Sequence, residues 1–383
     1  MTGDGRYKVL PMPPKGSTFL VGMSGGVDSS FTALYLLNKG YKVIGATMCT
    51  WDGEKSVYKD SYRDNPLVLR GSCYGPDEEI DLQICRDFCS KYGIPYYTVD
   101  VSEEYKNSVL EYFTSEYLRG RTPNPCVECN KRVKFGAFIE KARKTGINFD
   151  YFATGHYARV VMDNITGTFH IGNGMDGTKD QSYFLYGVPS KVLEKVRFPL
   201  GMMRKGHVKA EALKMGLVSA QRKESQDFIP QSQWPALFKG NVPGPGNIVD
   251  TCGKILGKHK GIIYYTIGQR RGLGIGGGAP LYVRSIDRKG NNIVVSGKDG
   301  MFFSGVIVED SSLIFPENTE SMELSVKIRL ASKPVPGRVY RLEDGRIRVD
   351  FSEKVMAAAP GQSAVFYDGD VILGGGIISE VIE

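Results

Sequence analysis

The sequence predicts an N-terminal α/β domain with a parallel sheet, a small middle domain and a C-terminal β-barrel. Apolar strand-like runs alternate with helical patterns up to about residue 205, which is typical of a parallel sheet covered on both faces. A Gly-rich turn follows the first apolar run. Beyond about residue 240, short β segments lie between Gly and Pro residues, which favours a small barrel. Since 383 residues exceed one typical core, we expect a loose polar leader and three domains, at residues 1–16, 17–205, 206–290 and 291–383.

The first elements form a strand–turn–helix–strand unit. The apolar run TFLVGM predicts a buried strand at 18–23, and SGGVDSS breaks it at 24–30. Helical spacing follows at 31–40 and a second strand at 42–48. The alternation then predicts helices at 78–92, 104–118 and 130–145 and strands at 95–101 and 149–155. Together these elements predict a parallel sheet whose first strand ends at the Gly-rich turn.

The later part of the chain changes character. Residues 205–220 have the pattern of a helix. The segments GIIYYTIG (261–268), PLYVRSID (280–287) and NIVVSG (292–297) then predict short strands. From about residue 303 the alternation of apolar and polar residues is clear, and EDG (343–345) and YDGD (367–370) are typical hairpin turns. These patterns predict the β-barrel.

Charge and cysteine content narrow the class of protein. The net charge of +7 favours a polyanionic partner only weakly. The stretch 254–271 is more specific, because it holds five cations, no acid and the pair Tyr264 and Tyr265, which suits phosphates and stacked bases. A solvated strand pair explains it equally well. We expect neither a signal peptide nor a membrane span. Seven cysteines without a disulfide framework predict a reduced, cytoplasmic protein.

The Gly-rich turn has its own signature. It matches neither Gly-x-Gly-x-x-Gly nor Gly-x-x-x-x-Gly-Lys-Ser. Ser-Gly-Gly-Val-Asp-Ser is instead similar to the PP-loop, the pyrophosphate-binding loop of enzymes that cleave ATP between the α- and β-phosphates. Gly25 and Gly26 would let the backbone close on pyrophosphate, and Asp28 is well placed for Mg²⁺. Ser24, Ser29 and Ser30 could donate hydroxyls. The alternative is an ordinary Gly-rich turn.

Several long stretches together resemble one family. They occur in the family's order from about residue 18 to the end of the chain and read GMSGGVDSS, MCTWDG, GRTPNPCVECNKRVKFG, ATGHYAR, KDQSYFLYGV, KGIIYYTIGQRRGLGI, PLYV and APGQSAVFYDGDVILGGG. These residues resemble the tRNA-specific 2-thiouridylases, the MnmA/TrmU family. The resemblance implies that ATP activates the C2 oxygen of the wobble uridine of tRNA as an adenylate. Sulfur from a donor protein or from sulfide then replaces that oxygen.

The resemblance also implies roles for individual residues. The expected catalytic residues are Cys129, Cys126 and Asp28. The expected ATP-binding residues are Gly22, Met23, Ser24, Gly25, Gly26, Val27, Asp28, Ser29, Met48 and Gly155. The residues expected to approach the target base are Asn124, Pro125 and Cys126. Further contacts with the tRNA anticodon stem-loop are implied for His156, Lys179, Asp180, Gln181, Arg329 and Gln362. From the sequence alone, Met48 also fits a core position, His156 a structural role and Gln362 an ordinary surface site.

The chain departs from the family pattern at two places. Well-known members have Asn-Pro-Asp-x-x-Cys, whereas Cys126 stands here at the Asp position; cysteine there also occurs within the family. Many members carry a second catalytic cysteine downstream, but the corresponding stretch KESQDFIPQ (223–231) has none. The two-cysteine relay of those members therefore cannot be transferred unchanged.

Three explanations of the Cys-x-x-Cys pair remain open. Cys126 can replace the missing partner in a thiol pair. Alternatively, both cysteines bind a [4Fe-4S] cluster with a third ligand, for which Cys49, Cys73 and Cys252 are candidates. A zinc site ranks below both, because no second Cys pair or nearby His pair completes four ligands. Cys85 and Cys89, spaced i and i+4, are expected to pack in the core.

Two other functions stay open at this stage. One is a catalytically altered relative that binds or desulfurates tRNA. The other is a different PP-loop enzyme, such as an amidating synthetase. The intact SGGVDS favours ATP cleavage over simple binding, and the absence of a glutaminase-like segment disfavours ammonia chemistry.

Overall fold

The computed structural model describes residues 5–51, 74–75, 78–217, 219, 229, 231, 234–238, 241–276 and 278–383. The chain divides into two compact units. The first comprises Met1–Val109, Cys126–Gln233 and Gly369–Ile372. The second comprises Leu110–Pro125, Trp234–Asp368 and Leu373–Glu383. No helix among the described residues is long and apolar enough to cross a membrane.

A parallel sheet forms the centre of the first unit, as predicted. The strands of this unit are β1 (Tyr7–Val9), β2 (Thr18–Gly22), β3 (Lys42–Cys49), β4 (Tyr96–Asp100), β5 (Tyr151–Ala153), β6 (Ala158–Asp163), β7 (Phe169–Asn173) and β8 (Val196–Arg197). Within the described residues the sheet has the order β4-β3-β2-β5-β8, and every pairing in it is parallel. The central strand β2 is an apolar run, and its residues Phe19, Leu20 and Val21 are fully buried.

The helices of the described residues lie in both units and differ from the predicted ones mainly at their ends. They are α1 (Val27–Asn38), α2 (Glu78–Lys91), α3 (Ser102–Tyr105), α4 (Glu111–Leu118), α5 (Pro125–Glu128), α6 (Phe138–Lys144), α7 (Ser190–Leu193), α8 (Lys205–Lys214) and α9 (Trp234–Leu237). π-Helical backbone, with i→i+5 hydrogen bonds, joins α3 to α4 at Lys106–Leu110 and α5 to α6 at Cys129–Ala137. Single turns of 3₁₀ helix lie at Ser182–Leu185, Pro199–Met202, Ile262–Tyr264 and Lys298–Met301.

Three helix boundaries correct the sequence prediction. The helix predicted at 31–40 begins at Val27, directly on the Gly-rich turn. The helix predicted at 130–145 begins at Pro125, so both cysteines of the Cys-x-x-Cys pair lie within helical backbone. The helix predicted at 205–220 ends at Lys214, and Gly216 then adopts a φ of +68°. A left-handed residue cannot continue a helix, and glycine adopts this conformation readily.

The N-terminal segment and two cysteines of the first unit can be compared with their predictions. Part of the segment expected to be a loose leader is ordered, because β1 pairs antiparallel with β6. Cys85 and Cys89 lie in the apolar core beside Phe19 and Val21, as the i, i+4 spacing predicted. These two thiols are therefore packing residues.

The second unit is built mainly from β structure. Its strands are β9 (Gly246–Val249), β10 (Ile255–His259), β11 (Tyr282–Asp287), β12 (Asn292–Ser296), β13 (Phe302–Glu309), β14 (Ser321–Lys327), β15 (Val335–Arg341), β16 (Ile347–Met356), β17 (Ser363–Asp368) and β18 (Val371–Ile382). The first two residues of β18 belong to the first unit. Within the described residues, β9–β12 form a sheet of order β10-β9-β12-β11. The strands β13–β18 close into a six-stranded barrel in the order β18-β13-β16-β15-β14-β17, with β17 returning to β18. The predicted barrel is thereby confirmed.

Local predictions in this unit have mixed outcomes. The EDG and YDGD turns join antiparallel strands, with left-handed Gly345 and Gly369. The strand predicted at 261–268 is wrong: residues 262–264 form a single helical turn in which Ile262 and Ile263 are buried. A short apolar run fits a buried turn as well as a strand, so periodicity alone could not separate the two.

Candidate active site

The loop between β2 and α1 is held by bonds to its neighbours. The Met23 backbone N–H donates to the Ala46 carbonyl at 2.8 Å, and the Thr47 hydroxyl donates to the Met23 carbonyl at 3.1 Å. Gly25 turns the chain with a φ of +69°. The loop therefore leaves the carboxyl end of the central strand in a fixed path and enters α1 at Val27.

The serine hydroxyls of the loop bond to the loop itself. The Ser24 backbone N–H donates to Ser29 Oγ at 3.2 Å, and Ser29 Oγ lies 3.1 Å from the Gly26 carbonyl. The Ser30 hydroxyl donates to the same carbonyl at 3.0 Å. Sequence reasoning offered these hydroxyls to a phosphate. In this structure Ser29 and Ser30 shape the loop, and the start of α1 presents the backbone N–H groups that favour anions.

Gly155 is placed against the beginning of α1. A Cβ at this position would lie 2.8 Å from the carbonyl carbon of Asp28 and 3.0 Å from the backbone nitrogen of Ser29. Backbone atoms cannot move aside as a flexible side chain can. The segment after β5 approaches the loop so closely that only glycine fits at position 155. This is a physical reason for the Gly in ATGHYAR.

Asp28 is the charged residue of the loop and already has two partners. Lys205 Nζ lies 2.6 and 2.8 Å from the two carboxylate oxygens. The Tyr157 hydroxyl donates to Oδ1 at 2.9 Å. Sequence reasoning named neither partner. ATGHYAR had pointed to His156 rather than to Tyr157, and Lys205 lies in a helix some 177 residues along the chain.

A Mg²⁺ site at Asp28 is not formed by this side-chain arrangement. Mg²⁺ in nucleotide sites is usually held by one or two carboxylates together with substrate phosphates. Among the described residues there is no group of three or more His, Cys, Asp or Glu side chains that could hold a metal ion. In the ligand-free chain both Asp28 carboxylate oxygens are engaged by Lys205. The Mg²⁺ assignment stays a prediction.

The Cys-x-x-Cys pair lies in the first two turns of a long helical segment. Cys126 is exposed and Cys129 is partly buried. Two contacts within the first unit fix this segment: the Asn130 side-chain amide donates to the Phe184 carbonyl at 3.1 Å, and Arg132 pairs with Glu128 at 2.6 Å. One thiol is therefore accessible to a large partner and the other is more sheltered.

The described cysteines do not assemble a cluster site. No described group of three metal-binding side chains includes the pair. Of the proposed third ligands, Cys49 has its pKa raised to about 11, chiefly by burial and also by Glu78 and Asp100. In the chain without a metal, Cys49 is therefore a thiol rather than a thiolate at neutral pH. Cys73 lies outside the described residues, as does most of the stretch 223–231, and exposed Cys252 belongs to the second unit.

The structure gives only the burial and the secondary-structure position of the other residues predicted to contact ATP or the target base. Met48 lies near the end of β3, paired with Val99 of β4, and is partly buried. Asn124 is buried, and Pro125 begins α5. Their assignments to ATP and to the target base stay predictions.

His156 is a partly buried histidine packed against aromatic rings. Its ring lies between Phe135 and Phe198, with centroid distances of 5.9 and 5.8 Å. Nδ1 is 2.6 Å from the Thr154 hydroxyl. Burial, and secondarily the charge of Lys134, hold its pKa well below the usual value. A tRNA contact by His156 would therefore involve an uncharged ring.

Asp180 and Gln181 bind the chain's own backbone. The Asp180 carboxylate accepts from the Gly174 N–H at 2.8 Å and from the Ser182 hydroxyl at 2.7 Å. Gln181 Oε1 accepts from the Tyr157 N–H, and the Gln181 N–H donates to the Tyr157 carbonyl, both at 3.0 Å. Gln181 thus fixes the backbone of the residue whose hydroxyl reaches Asp28. The predicted tRNA contacts of both residues, and of neighbouring Lys179, stay predictions.

The predicted contacts in the barrel also have internal partners. The Gln362 side-chain amide donates to the Thr122 carbonyl at 3.0 Å, and the Pro360 carbonyl accepts from the Thr122 N–H at 2.8 Å. Arg329 donates to the Met356 carbonyl. Gln362 therefore holds the segment before the Cys-x-x-Cys helix, a role that sequence reasoning missed.

The fold and the loop together define a class of protein, namely an α/β nucleotide-binding protein with a phosphate-binding loop at the first strand–helix junction. Family models agree. Residues 17–230 match the model described as tRNA methyl transferase HUP domain. Residues 239–297 match a tRNA methyl transferase PRC-barrel domain, and residues 303–378 match an aminomethyltransferase beta-barrel domain.

Curated relatives narrow the class to a family. The chain is 42% identical to the tRNA-specific 2-thiouridylase MnmA of Carboxydothermus hydrogenoformans, over 94% of this chain and 97% of that protein. It is 41% identical to MnmA of Acetivibrio thermocellus, over 94% and 98%. The chain belongs to the tRNA-specific 2-thiouridylase MnmA family.

Similarity to solved structures is weak. The U34-tRNA thiolase NcsA from Methanococcus maripaludis, with its [4Fe-4S] cluster, is 17% identical with a TM-score of 0.30, over 59% of this chain and 65% of that one. A 4-thiouridine synthetase bound to RNA and ATP is 16% identical with a TM-score of 0.33, over 59% and 51%. Scores this low support no conclusion about this chain.

Proposed function

We propose that this protein uses ATP to replace the C2 oxygen of the wobble uridine, U34, of tRNA with sulfur. The observation that carries the proposal is the presence, in one compact unit, of a phosphate-binding loop and a Cys-x-x-Cys pair. The membership of the MnmA family supports the same reaction. The anticodon stem-loop is the proposed tRNA element, and the second unit is proposed to contribute to tRNA binding.

The first step is adenylation of the uridine. The C2 oxygen attacks the α-phosphorus of ATP, and the bond from that phosphorus to the β-phosphate oxygen breaks. Pyrophosphate leaves with the electron pair, and AMP stays on the C2 oxygen. The N–H groups at the start of α1 are the proposed ligands of the phosphates, since preformed donors stabilise charge that develops on a leaving group. Mg²⁺, if bound with ATP, would supply further positive charge there.

The second step uses the cysteines as a thiol pair. Exposed Cys126 is the proposed acceptor of sulfur from a persulfide donor protein. Its thiolate attacks the outer sulfur of the donor persulfide, the donor cysteine leaves as a thiolate, and Cys126–S–S⁻ forms. The terminal sulfur attacks C2, and AMP leaves with the C2–O electron pair. Cys129 then attacks Cys126 Sγ. The S–S bond to the base breaks, 2-thiouridine is released, and a Cys126–Cys129 disulfide remains, which a dithiol reductant must reopen.

We propose a thiol pair rather than an iron–sulfur cluster because too few cysteine ligands for a cluster lie together. A [4Fe-4S] cluster bound by the pair needs a third thiolate, and the described residues provide none in reach of a common site. No step of the proposal passes through iron. A metal analysis of protein purified without oxygen tests this choice directly: iron at about one cluster per chain would overturn it.

The reaction itself is tested by two products. Purified protein is incubated with ATP, a persulfide donor, a dithiol and unmodified tRNA that carries U34. We expect pyrophosphate release that depends on this tRNA, and 2-thiouridine in the digested nucleosides by mass spectrometry. The matched control is the same tRNA with cytidine at position 34, which should give neither product. Pyrophosphate release with both tRNAs, or with neither, would contradict the proposed substrate.

A further inference from the structure

The ion pair between Lys205 and Asp28 joins the loop to a distant helix. The ammonium contacts both carboxylate oxygens, at 2.6 and 2.8 Å. The Lys205 side chain is only 12% exposed, and that of Asp28 is 29% exposed. Most surface ion pairs are freely solvated and contribute little. This one is sheltered, and it lies in the first turn of the helix that follows the phosphate-binding loop.

Several contacts fix Lys205 in this position. Its backbone N–H donates to Asp176 Oδ2 at 2.9 Å at the start of α8. Hydrogen bonds from Thr178 and from Lys205 lower the pKa of Asp176, so this cap is ionised at neutral pH. The helices α1 and α8 also share an apolar cluster that includes Phe31 and Val208. Lys205 is therefore presented to the loop by a packed helix.

The place of Lys205 on its helix is electrostatically unfavourable. It is the first residue of α8, where the helix dipole favours anions and disfavours cations. Residues that break a local rule often lie at functional sites. A benefit to the phosphate site is one explanation for a cation at this position.

The loop lacks a cation of its own. From Ser17 to Asn38 the sequence contains neither Lys nor Arg. In the other common nucleotide loop, a lysine within the loop contacts the phosphates. Within the loop segment, a triphosphate would therefore face only the partial charges at the start of α1. Departure of pyrophosphate adds negative charge that a cation can stabilise. Lys205 is held against the first turn of α1 and can provide that charge.

We propose that Lys205 is the phosphate-binding cation of this site. In the ligand-free chain, Asp28 holds the ammonium next to the loop. With ATP bound, the ammonium contacts the β- and γ-phosphates, and it stays protonated as the bond to the α-phosphate breaks and pyrophosphate takes the electron pair. This inference rests on the proposed ATP-dependent function, and it assigns to Asp28 the positioning of Lys205.

Binding of ATP and of AMP separates this role from a structural one. For Lys205→Gln we expect ATP to bind about 10- to 100-fold more weakly, the range for loss of one charge-assisted contact. AMP, which lacks the β- and γ-phosphates, should bind within about twofold of the wild type. Lys205→Arg should recover part of the ATP affinity. The control is Lys214→Gln on the same helix, an exposed lysine paired with Glu211, which should change neither affinity.

A second variant removes an ambiguity. Lys205→Gln leaves the Asp28 carboxylate without this cation, and the carboxylate itself could repel ATP. In the double variant Asp28→Asn/Lys205→Gln that repulsion is absent, and we still expect weak ATP binding. Wild-type ATP affinity in either variant would overturn the proposal, as would equal losses for ATP and AMP. If the wild type binds ATP through Lys205 yet releases no pyrophosphate with U34 tRNA, the proposed function fails while this inference stands.

Discussion

Cys126 and Cys129 are three residues apart, but they differ in their access to solvent. Cys126 is exposed and Cys129 is partly buried, and both lie on one helical segment. A transfer of sulfur from a protein donor requires an accessible acceptor. Release of the thiolated base within the protein requires a second thiol that can attack the sulfur of the accepting cysteine. The exposure of the two thiols supports the proposed roles, with Cys126 as the acceptor and Cys129 as the resolving thiol.

The variant Cys129→Ser tests this division of roles. Without the resolving thiol, we expect repeated thiolation to fall by at least about 1,000-fold, as when other catalytic nucleophiles are removed. ATP affinity should be unchanged. In a single turnover without dithiol, a covalent adduct between the protein and tRNA should accumulate, because the disulfide between Cys126 and the base is not resolved. Later addition of a dithiol should release the tRNA. Non-reducing gels measure the adduct.

The control for this experiment is Cys252→Ser, which removes an exposed thiol of the second unit. This variant should turn over at the wild-type rate and should form no adduct with tRNA. Retained turnover in Cys129→Ser would remove Cys129 from the proposed chemistry. Near-normal turnover in Cys126→Asp would instead show that Cys126 only fills the Asp position of the family, and would exclude the thiol pair.

His156 makes stability depend on pH in a definite direction. Burial keeps the ring neutral, so its folded pKa lies below the unfolded value of about 6.5. Below pH 6.5 the unfolded chain binds a proton that the folded chain does not, so acidification lowers the free energy of unfolding. The loss can reach about 1.4 kcal/mol per pH unit. Above pH 6.5 both states are neutral and the contribution vanishes.

Thermal melting between pH 5 and pH 8 measures this contribution. We expect the decrease of Tm below pH 6.5 to be smaller in His156→Asn than in the wild type. Exposed His207 on α8 provides the control, and His207→Asn should keep the wild-type slope. Parallel curves for the wild type and His156→Asn would show that folding does not lower the pKa of His156.

At the scale of elements, the turn before β17 holds the segment that leads to α5. Gly361 has a φ of +90°, and a Cβ there would lie 2.8 Å from both the backbone nitrogen and the carbonyl oxygen of Thr122. The flanking residues Pro360 and Gln362 both bond to Thr122. Two separate reasons require glycine at position 361: its left-handed backbone conformation and the short distance to the Thr122 backbone.

A pair of glycine variants separates these two requirements. Gly345 has a similar φ of +83° but nothing within 4 Å of its missing Cβ. Gly345→Ala should therefore cost about 1–2 kcal/mol for the left-handed conformation alone. Gly361→Ala should cost at least about 2 kcal/mol more, because Thr122 must move. Urea unfolding measures both, and equal costs would show that the Thr122 contact is easily relieved.

The elements that the sequence could predict are those with a periodic pattern or a turn signal. The strand–loop–helix start, the parallel sheet and the barrel hairpins all follow from such local signals. The residues it could not predict depend on contacts between distant positions. Lys205 lies in an ordinary helical pattern, and only the packing of α8 on α1 brings it to Asp28. Likewise, Gln362 had a predicted tRNA contact, while its bond to Thr122 spans 240 residues.

At the scale of the whole molecule, the charge distribution concerns tRNA binding. The cations of 254–271, namely Lys254, Lys258, Lys260, Arg270 and Arg271, are all exposed. Tyr264 is partly buried, stacks near Trp234 with a centroid distance of 6.4 Å and has Lys260 Nζ 4.5 Å from its ring centre. Tyr265 is buried. The tyrosines are therefore part of the packing of the second unit, and the cations are the groups available to phosphates.

Salt dependence tests whether these cations bind the tRNA backbone. Each phosphate contact that releases counterions contributes about −0.7 to −0.9 to the slope of log K against log salt concentration. The triple variant of Lys258, Arg270 and Arg271 to Gln should therefore weaken tRNA binding and reduce the steepness of this slope by up to about 2–3. Since none of the three belongs to the unit with the phosphate-binding loop, ATP affinity should not change.

The control must remove the same charge elsewhere. Lys39, Lys91 and Lys144 are exposed residues of the first unit, and their replacement by Gln lowers the net charge equally. If the stretch 254–271 binds phosphates directly, only the first triple variant changes the slope. Equal effects of the two variants would mean that overall charge, rather than this stretch, governs the affinity for tRNA. A slope that neither triple variant changes would favour the alternative interpretation, in which these five cations are solvated and do not bind tRNA.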